Sequence, residues 1–199
     1  MIKPDPTISL RLFARENFLD QRTCAEIVAE MRAVAGAPAT VYGRDPSGSV
    51  DERIRKAVRQ TPAPATVELV RRKLWEYKPA IEERFGVSLN ECEEPQFLRY
   101  RVGDFFVTHQ DGNTGLMRMD TEARLVSVVI SLSKQSGVPK EGAYGGGSLV
   151  FHDWRGGQGS VELPLAREPG TFVAFPSETT HEVTPVTHGE RYSIASWYR

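Results

Sequence analysis

The spacing of hydrophobic residues changes near residue 92 from a helical repeat to a repeat of two, and this change limits the fold more than any other feature. After "NECEEPQF" the apolar residues come in short runs separated by glycine, proline or charged turns: "FLRYRVGDFFVTH", "RLVSVVISLS", "GSLVFHD", "GSVELPL", "GTFVAFP", "HEVTPV" and "RYSIASWY". Short β-rich runs of this kind are typical of a β-sandwich, barrel or jelly roll. We therefore predict a β core over residues 92–199.

The run "RLVSVVISLS" indicates how one strand of this core is placed. Alternate residues of a strand point to opposite faces of the sheet. One face of this strand carries large apolar side chains and the other carries small, partly polar ones: Val126, Val128, Ile130 and Leu132 against Ser127, Val129, Ser131 and Ser133. The pattern favours a strand that lines a cavity with its second face.

The residues before the β core contain two helical patterns. "NFLDQRTCAEIVAEMRAVAG" predicts an amphipathic helix with Asp20 as N-cap and Gly36 as the stop. "ATVELVRRKLWEYKPAIEERFG" predicts a second helix that Pro79 kinks or splits. Between them, residues 37–65 are expected to be loop with at most one short extended piece. We expect one domain over 1–199, in which a helical support region (1–91) lies against the β core (92–199).

Composition excludes several classes of protein. With 25 basic and 26 acidic residues the formal net charge is -1, which argues against a nucleic-acid partner, because nucleic-acid-binding surfaces need clustered positive charge. Cys24 and Cys92 form neither a disulfide framework nor a CxxC pair, which is typical of a reducing cytoplasm. No signal-peptide core or apolar run of membrane-spanning length is present, so we expect a soluble cytoplasmic protein without a membrane partner.

The stretch "FFVTHQDGN" raises the possibility of a metal site. His109 and Asp111 lie two positions apart, so they project from the same side of a strand end toward one ion. A chance HxD occurs in roughly one chain of this composition in six, so a polar loop stays open as the alternative. His181 in "PSETTHEVTPV" is the candidate third ligand, because two histidines and one carboxylate form the facial triad of Fe(II) enzymes. We interpret His152 and His188 as histidines outside the ligand set.

Four segments in order resemble a known family: "YRVGDFFVTHQD", "RLVSVVISLS", "GGGSLVF" and "EPGTFVAFPSETTHEVTPVTHGERYSIASWYR". Over residues 92–199 the chain is similar to the 2-oxoglutarate and Fe(II)-dependent dioxygenases, within them to the prolyl 4-hydroxylase-like branch. The resemblance implies a double-stranded β-helix (jelly-roll or cupin-like) core with Fe(II) held by His109, Asp111 and His181.

The resemblance also implies a binding site for the cosubstrate 2-oxoglutarate. Arg191, ten residues after His181, falls where the family binds the distal carboxylate, and a guanidinium matches a carboxylate with two parallel hydrogen bonds. Tyr100 matches an aromatic hydroxyl near the cosubstrate, and Trp197 matches a tryptophan that closes the pocket. Ser131 stands where close relatives often carry tyrosine, a departure that leaves the hydrogen bonds to the cosubstrate open.

The implied activity is hydroxylation of an unactivated C–H with Fe(II), 2-oxoglutarate and O2, with ascorbate as a candidate stimulant. The expected substrate is a prolyl or other residue of a peptide or protein, and a free amino acid or small metabolite is the first alternative. A nucleic-acid demethylase would carry a second arginine six residues after Arg191, where this chain has Trp197. A non-catalytic β-sandwich binding module would not keep the ordered triad and arginine.

Three segments are predicted to surround the mouth of the site: "YGRDPSGSVDERIRKA", "GNTGLMRMDTEA" and "SKQSGVPKEGAYGGG". Long loops in compact domains are often lids or binding loops. Arg118, Arg124 and Lys134 are interpreted as solvated loop cations that an acidic substrate group would meet. Gly146 and Gly147 match the family's glycines before a core strand, although an ordinary turn explains them equally well.

Overall fold

The protein is described by a computed structural model that covers residues 11–41, 48–112, 123–152, 160–162 and 168–199. Within these ranges the chain forms helices α1 (Gln21–Ala33) and α2 (Pro64–Phe85) and fifteen short strands. The strands are β1 (Phe13–Arg15), β2 (Gly36–Pro38), β3 (Arg55–Lys56), β4 (Val58–Gln60), β5 (Gln96–Tyr100), β6 (Phe105–His109), β7 (Val126–Ser131), β8 (Lys134–Gln135), β9 (Ala143–Gly146), β10 (Leu149–His152), β11 (Ser160–Glu162), β12 (Phe172–Pro176), β13 (His181–Val183), β14 (Val186–His188) and β15 (Arg191–Tyr198).

The largest sheet has the strand order β1-β12-β7-β15-β5-β4-β2. Its eight-residue strand β15 pairs antiparallel with both β5 and β7, so that Arg191 lies opposite Tyr100 and Ser193 lies opposite Ser131. Because strand residues alternate between faces, the odd-numbered residues of β15 point to one side of the sheet and the even-numbered ones to the other.

A second sheet has the order β11-β10-β13-β6-β3, and a small third sheet has the order β14-β9-β8. In the second sheet β13 pairs antiparallel with β6, which places His181 directly opposite His109. A cavity between the two larger sheets is lined by residues of both. The predicted mainly β fold with N-terminal helices is confirmed.

The two helices cover the outer face of the seven-stranded sheet. Their buried residues join one core cluster with the even-numbered residues of β15 and with the apolar face of β7. The hydroxyl of Tyr198 in β15 donates to the carbonyl of Leu74 in α2 at 2.6 Å, which ties helix to sheet. At the start of α1 the carboxylate of Asp20 accepts the Thr23 backbone N–H at 2.8 Å, the predicted cap. The predicted alternation in β7 is also confirmed, since its apolar face packs under the helices.

Several local predictions are wrong. Residues 37–65 are not mainly loop, since they contain most of β2, all of β3 and β4 and the start of α2. These strands join the two larger sheets. Their order comes from pairing with β5 and β6, which the local composition does not show. Helix α2 runs through Pro79 without a break, since its apolar face stays packed on the sheet on both sides of the proline. Helix α1 ends at Ala33, before Gly36. The segment 133–147 is not a free loop, because it contains β8 and β9.

No helix in the described ranges is long and apolar enough to cross a membrane. Cys24 and Cys92 are free thiols, as predicted. The cytoplasmic location and the division of the chain at residue 91 stay predictions, although β1 to β4 show that the first region supplies strands as well as helices.

Candidate active site

Two neighbouring strands bring together a cluster of three metal-binding side chains. His109 ends β6, His181 begins β13, and Asp111 follows β6, where its backbone N–H donates to the Ser177 carbonyl at 2.9 Å. The ligand atoms of the two histidines and the aspartate all lie within 4.8 Å of one another. The Nε2 atoms of His109 and His181 are 3.5 and 3.6 Å from the Asp111 carboxylate oxygens. The predicted trio therefore converges on one point.

Hydrogen bonds orient both imidazole rings toward that point. Nδ1 of His109 lies 2.8 Å from the Val107 carbonyl, and Nδ1 of His181 lies 2.8 Å from the Thr179 carbonyl. A carbonyl accepts only, so each Nδ1 carries the hydrogen and donates it, and each Nε2 keeps its lone pair. Metal-binding histidines usually have their second nitrogen hydrogen-bonded in this way.

The charge states of the cluster also suit a cation. Burial lowers the pKa of His181 to about 4, more than the neighbouring Asp111 carboxylate raises it, so the ring is neutral at physiological pH. Burial raises the pKa of Asp111, but the adjacent His181 and His109 rings and the Trp197 indole N–H stabilise the carboxylate more and leave this pKa well below its usual range. Two imidazoles and one carboxylate fit a divalent transition metal, and this donor set is the one that Fe(II) oxygenases use.

An inner cavity of about 40 Å³ lies beside the cluster, between the two large sheets. From β15 it is lined by Arg191, Ser193 and Trp197, and from β5 by Tyr100. The buried guanidinium of Arg191 donates to the Ser193 hydroxyl at 2.8 Å and lies over the Tyr100 ring, 5.0 Å from its centroid. In the described part of the chain no carboxylate pairs with Arg191, so its charge is available to an anion in the cavity.

Gly147 lets the backbone approach this arginine closely. Its φ of +57° lies in the left-handed region, and a Cβ at this position would stand 3.0 Å from the Arg191 Cδ. Gly146 also has a positive φ, of +62°. The predicted glycine pair is therefore a conformational requirement, and at Gly147 it also leaves room for Arg191.

Trp197 lines the inner cavity, and an ion pair between Arg124 and Glu93 lies against its indole ring. The guanidinium of Arg124 stacks on the indole, 3.7 Å from its ring, and makes two 2.7 Å hydrogen bonds to the Glu93 carboxylate. The interpretation of Arg124 as a solvated loop cation is wrong, because its side chain is only 6% exposed. Lys134 pairs with Glu168 at the surface, and Arg118 lies outside the described residues.

An outer cavity of about 210 Å³ adjoins the inner one. The walls shared by both include Arg55, Phe106, His109, Asp111 and Trp197. The described part of the predicted mouth segment 42–57 lines it, together with residues that precede it, through Thr40, Val41, Ser49, Asp51 and Ile54. The mouth segment 112–123 has only its ends, Gly112 and Ala123, among the described residues.

The remaining predicted residues lie outside the cluster. Ser131 is buried, and its hydroxyl donates to the Ser133 carbonyl at 3.0 Å instead of lining the inner cavity; its predicted role stays a prediction. Nε2 of His152 lies 3.4 Å from the Glu182 carboxylate. His188 ends β14, and its ring packs against Gly145 outside the cluster, which agrees with its interpretation as a histidine outside the ligand set.

The residues of the inner cavity that sequence reasoning missed include Arg55, Phe106 and Ser193. Ser193 had a detectable signal, since it lies two residues after Arg191 and alternation places both side chains on the same side of the strand. Phe106 had none, because it lies three residues before His109, and the register of β6 with β13 shifts between the two positions. Arg55 had none, because it comes from a segment without periodicity.

Comparison with known proteins also points to an Fe(II) oxygenase. Residues 95–199, just over half of the chain, match the model of the 2OG-Fe(II) oxygenase superfamily. A PKHD-type hydroxylase of Paracoccus denitrificans is 32% identical over 181 residues, which are 86% of this chain and 72% of that protein. A PKHD-type hydroxylase of Shewanella oneidensis is 39% identical over 108 residues, 52% of this chain and 41% of that protein. The chain thus spans less than half the length of several of the curated relatives that it matches.

Solved structures share the fold. A Pseudomonas putida prolyl-4-hydroxylase superposes with a TM-score of 0.71 at 24% identity, covering 96% of this chain and 93% of that one. A Trichoplax adhaerens prolyl hydroxylase, solved with a peptide fragment of the hypoxia inducible factor oxygen degradation domain, gives 0.70 at 16% identity, with coverage of 96% and 84%. The double-stranded β-helix prediction is confirmed. The family match and the Paracoccus relative together show that the chain belongs to the 2OG-Fe(II) oxygenase superfamily.

Proposed function

We propose that the protein is an Fe(II)- and 2-oxoglutarate-dependent hydroxylase whose iron is held by His109, Asp111 and His181. The observation that carries this proposal is the convergence of their ligand atoms within 4.8 Å, with both Nδ1 atoms engaged by backbone carbonyls. A facial set of three protein ligands leaves coordination positions open for a cosubstrate and dioxygen.

Arg191 is the proposed partner of the distal 2-oxoglutarate carboxylate. Its guanidinium is buried, faces the inner cavity and is held between the Ser193 hydroxyl and the Tyr100 ring. A charged bidentate hydrogen bond in such a dry pocket orients the cosubstrate with its 2-oxo acid end toward the metal cluster.

The chemistry is divided between the bound groups and the protein. Iron and 2-oxoglutarate, when bound, supply the oxidation, in which the cosubstrate and dioxygen give succinate and carbon dioxide and one oxygen atom enters a substrate C–H. The protein fixes the geometry: Val107 and Thr179 hold the imidazoles, and Trp197, stacked on the Arg124–Glu93 pair, keeps water from one side of the cavity.

The proposed substrate is a residue of a peptide or protein, with proline as the first candidate. Support comes from the fold neighbours, of which one is a prolyl-4-hydroxylase and another a prolyl hydroxylase solved with a peptide fragment. The outer cavity of about 210 Å³ offers room for a side chain next to the cluster. A free amino acid or small metabolite is the alternative that fits the same space.

Succinate formation will test the substrate class. The protein with Fe(II), 2-oxoglutarate and ascorbate is expected to form succinate faster with proline-containing peptides than without them, and the products should gain one oxygen in mass. Peptides with alanine in place of proline are the matched controls. Stimulation by free amino acids or metabolites alone would overturn the peptide assignment.

Gly147→Ala is expected to raise the apparent KM for 2-oxoglutarate, because the added Cβ would displace Arg191. We expect a shift of several-fold to about tenfold, since one displaced charged hydrogen bond is worth about 1.5–3 kcal/mol when fully lost. Gly142→Ala is the matched control, because Gly142 also has a positive φ (+73°) but no atoms within 4 Å of its Cβ position. Both variants should lose about 1–2 kcal/mol of stability from backbone strain. Equal KM values in the two variants would contradict the role assigned to Gly147.

A further inference from the structure

Arg55 is a buried cation at the junction of the inner and outer cavities. The residue is 6% exposed and lines both cavities. Its Nη1 donates to the Thr40 carbonyl at 3.0 Å, while its buried Nε has no hydrogen-bond partner in the described part of the chain. A guanidinium has five N–H donors and stays charged at any physiological pH. Burying the Nε–H of a charged guanidinium without a partner is unfavourable unless another group, such as an anion, completes the site.

The position of Arg55 is fixed relative to the metal cluster. Arg55 pairs with Phe106 across strands β3 and β6, and its Cζ lies 4.8 Å from the centroid of the Phe106 ring. That ring stacks in turn on the His109 imidazole, with centroids 3.6 Å apart and an interplanar angle of 17°. The Phe106 ring therefore lies between the positive charge of Arg55 and His109 of the metal cluster.

The acidic groups beside Arg55 are already engaged. Asp51 lines the same outer cavity, but Arg53 binds both of its carboxylate oxygens, at 2.9 and 2.8 Å. Asp111 belongs to the metal cluster. No ion pair joins Arg55 to a carboxylate among the residues that the structure describes.

The cosubstrate does not need Arg55 either. In the proposed complex the charges of Fe(II) and Arg191 balance those of Asp111 and the two carboxylates of 2-oxoglutarate. Arg191 lines only the inner cavity, whereas Arg55 also lines the outer cavity, which is the proposed substrate space. Neither the described residues nor the proposed cosubstrate supplies a carboxylate for Arg55.

We propose that Arg55 binds a carboxylate of the substrate, located within about one residue of the carbon that is hydroxylated. This inference rests on the proposed function and narrows its substrate class. The carboxylate has two possible sources, an acidic side chain next to the target residue of a peptide or the α-carboxylate of a free amino acid. In both cases the planar guanidinium provides the same paired hydrogen bonds.

Two matched substrate pairs test the proposal and distinguish the two sources of the carboxylate. The peptide pair is Ala-Pro-Asp-Ala against Ala-Pro-Asn-Ala, each with blocked ends, and the amino-acid pair is L-proline against L-prolinamide. For each pair kcat/KM is measured for the wild type, Arg55→Gln, Arg55→Lys and the control Arg22→Gln, whose side chain is 88% exposed and lies outside both cavities. The charged-to-neutral ratio is taken within each variant, so a general loss of activity cancels.

The wild type and Arg22→Gln are expected to prefer the charged member of at least one pair by roughly 10- to 100-fold, the usual value of a charged hydrogen bond. The ratio should fall to near one in Arg55→Gln, mainly through KM, and stay intermediate in Arg55→Lys. The pair that shows the preference identifies the source. No preference in the wild type for either pair, or an unchanged ratio in Arg55→Gln, would overturn the proposal.

Calorimetric binding of the same pairs, under anaerobic conditions with Fe(II) and 2-oxoglutarate, gives a readout without turnover. A wild type that forms no succinate under any condition contradicts the proposed hydroxylase function. Arg55-dependent binding of the charged member in these titrations would still support the carboxylate site, and equal binding of both members would exclude it.

Discussion

Asp111→Ala is expected to abolish iron-dependent turnover while the fold is kept. The variant leaves two imidazoles without the carboxylate that neutralises part of the metal charge, so the ion is neither held nor positioned. We expect iron binding to weaken by roughly 100-fold or more, since loss of a group that merely orients a ligand already costs about 10–100-fold. His109→Ala and His181→Ala should behave alike. Iron content after gel filtration and succinate formation are the two measurements.

His152→Ala and His188→Ala are the matched controls for the ligand variants. His152 lies in the same sheet, and both side chains lie outside the cluster, so both variants should retain iron. Circular dichroism and thermal melting of all five variants separate loss of the ligand from loss of the fold. Full activity in any ligand variant would remove that residue from the ligand set.

Arg191→Met is expected to raise the 2-oxoglutarate requirement more than Gly147→Ala does. The methionine keeps much of the volume but removes the charge that the inner cavity presents to the cosubstrate. The bidentate charged pair is worth on the order of 2–4 kcal/mol in a largely dry pocket, which corresponds to roughly 30- to 700-fold in apparent affinity. The apparent KM for 2-oxoglutarate and the Kd under anaerobic conditions measure this effect.

Arg59→Met provides the comparison for Arg191→Met, because Arg59 lies in the same sheet but pairs with Glu94 at the surface. Its 2-oxoglutarate requirement should equal that of the wild type. Arg191→Lys keeps the charge without the planar fork and should give an intermediate value. An Arg191→Met variant with unchanged cosubstrate dependence would show that another cation holds the distal carboxylate.

The double-sheet fold could be predicted from the sequence because its signal is local. The alternation of Val126, Val128 and Ile130 with small residues follows from the two faces of β7. The proposed ligand pair His109 and Asp111 is also a local pattern. His181 needed an additional argument, since its place opposite His109 depends on the pairing of two strands more than seventy residues apart.

The features that could not be predicted from the sequence depend on contacts between residues that are distant in sequence. Arg124 has the local context of a loop cation, yet Glu93 and Trp197, distant in sequence, enclose it. Arg55 lies in a two-residue strand that β6 completes, too short to show any period. Pro79 is a helix breaker by intrinsic propensity, but packing of α2 on the large sheet overrides that preference.

Oxygen uptake by the purified protein is the most direct test of an iron and 2-oxoglutarate site at the His109, Asp111 and His181 cluster. Uptake should require both Fe(II) and 2-oxoglutarate, increase when the correct substrate is added, and yield one succinate per dioxygen consumed. The same assay on Asp111→Ala should give no uptake above the rate of free iron. Uptake that persists in Asp111→Ala, or none in the wild type with any substrate, would contradict the account.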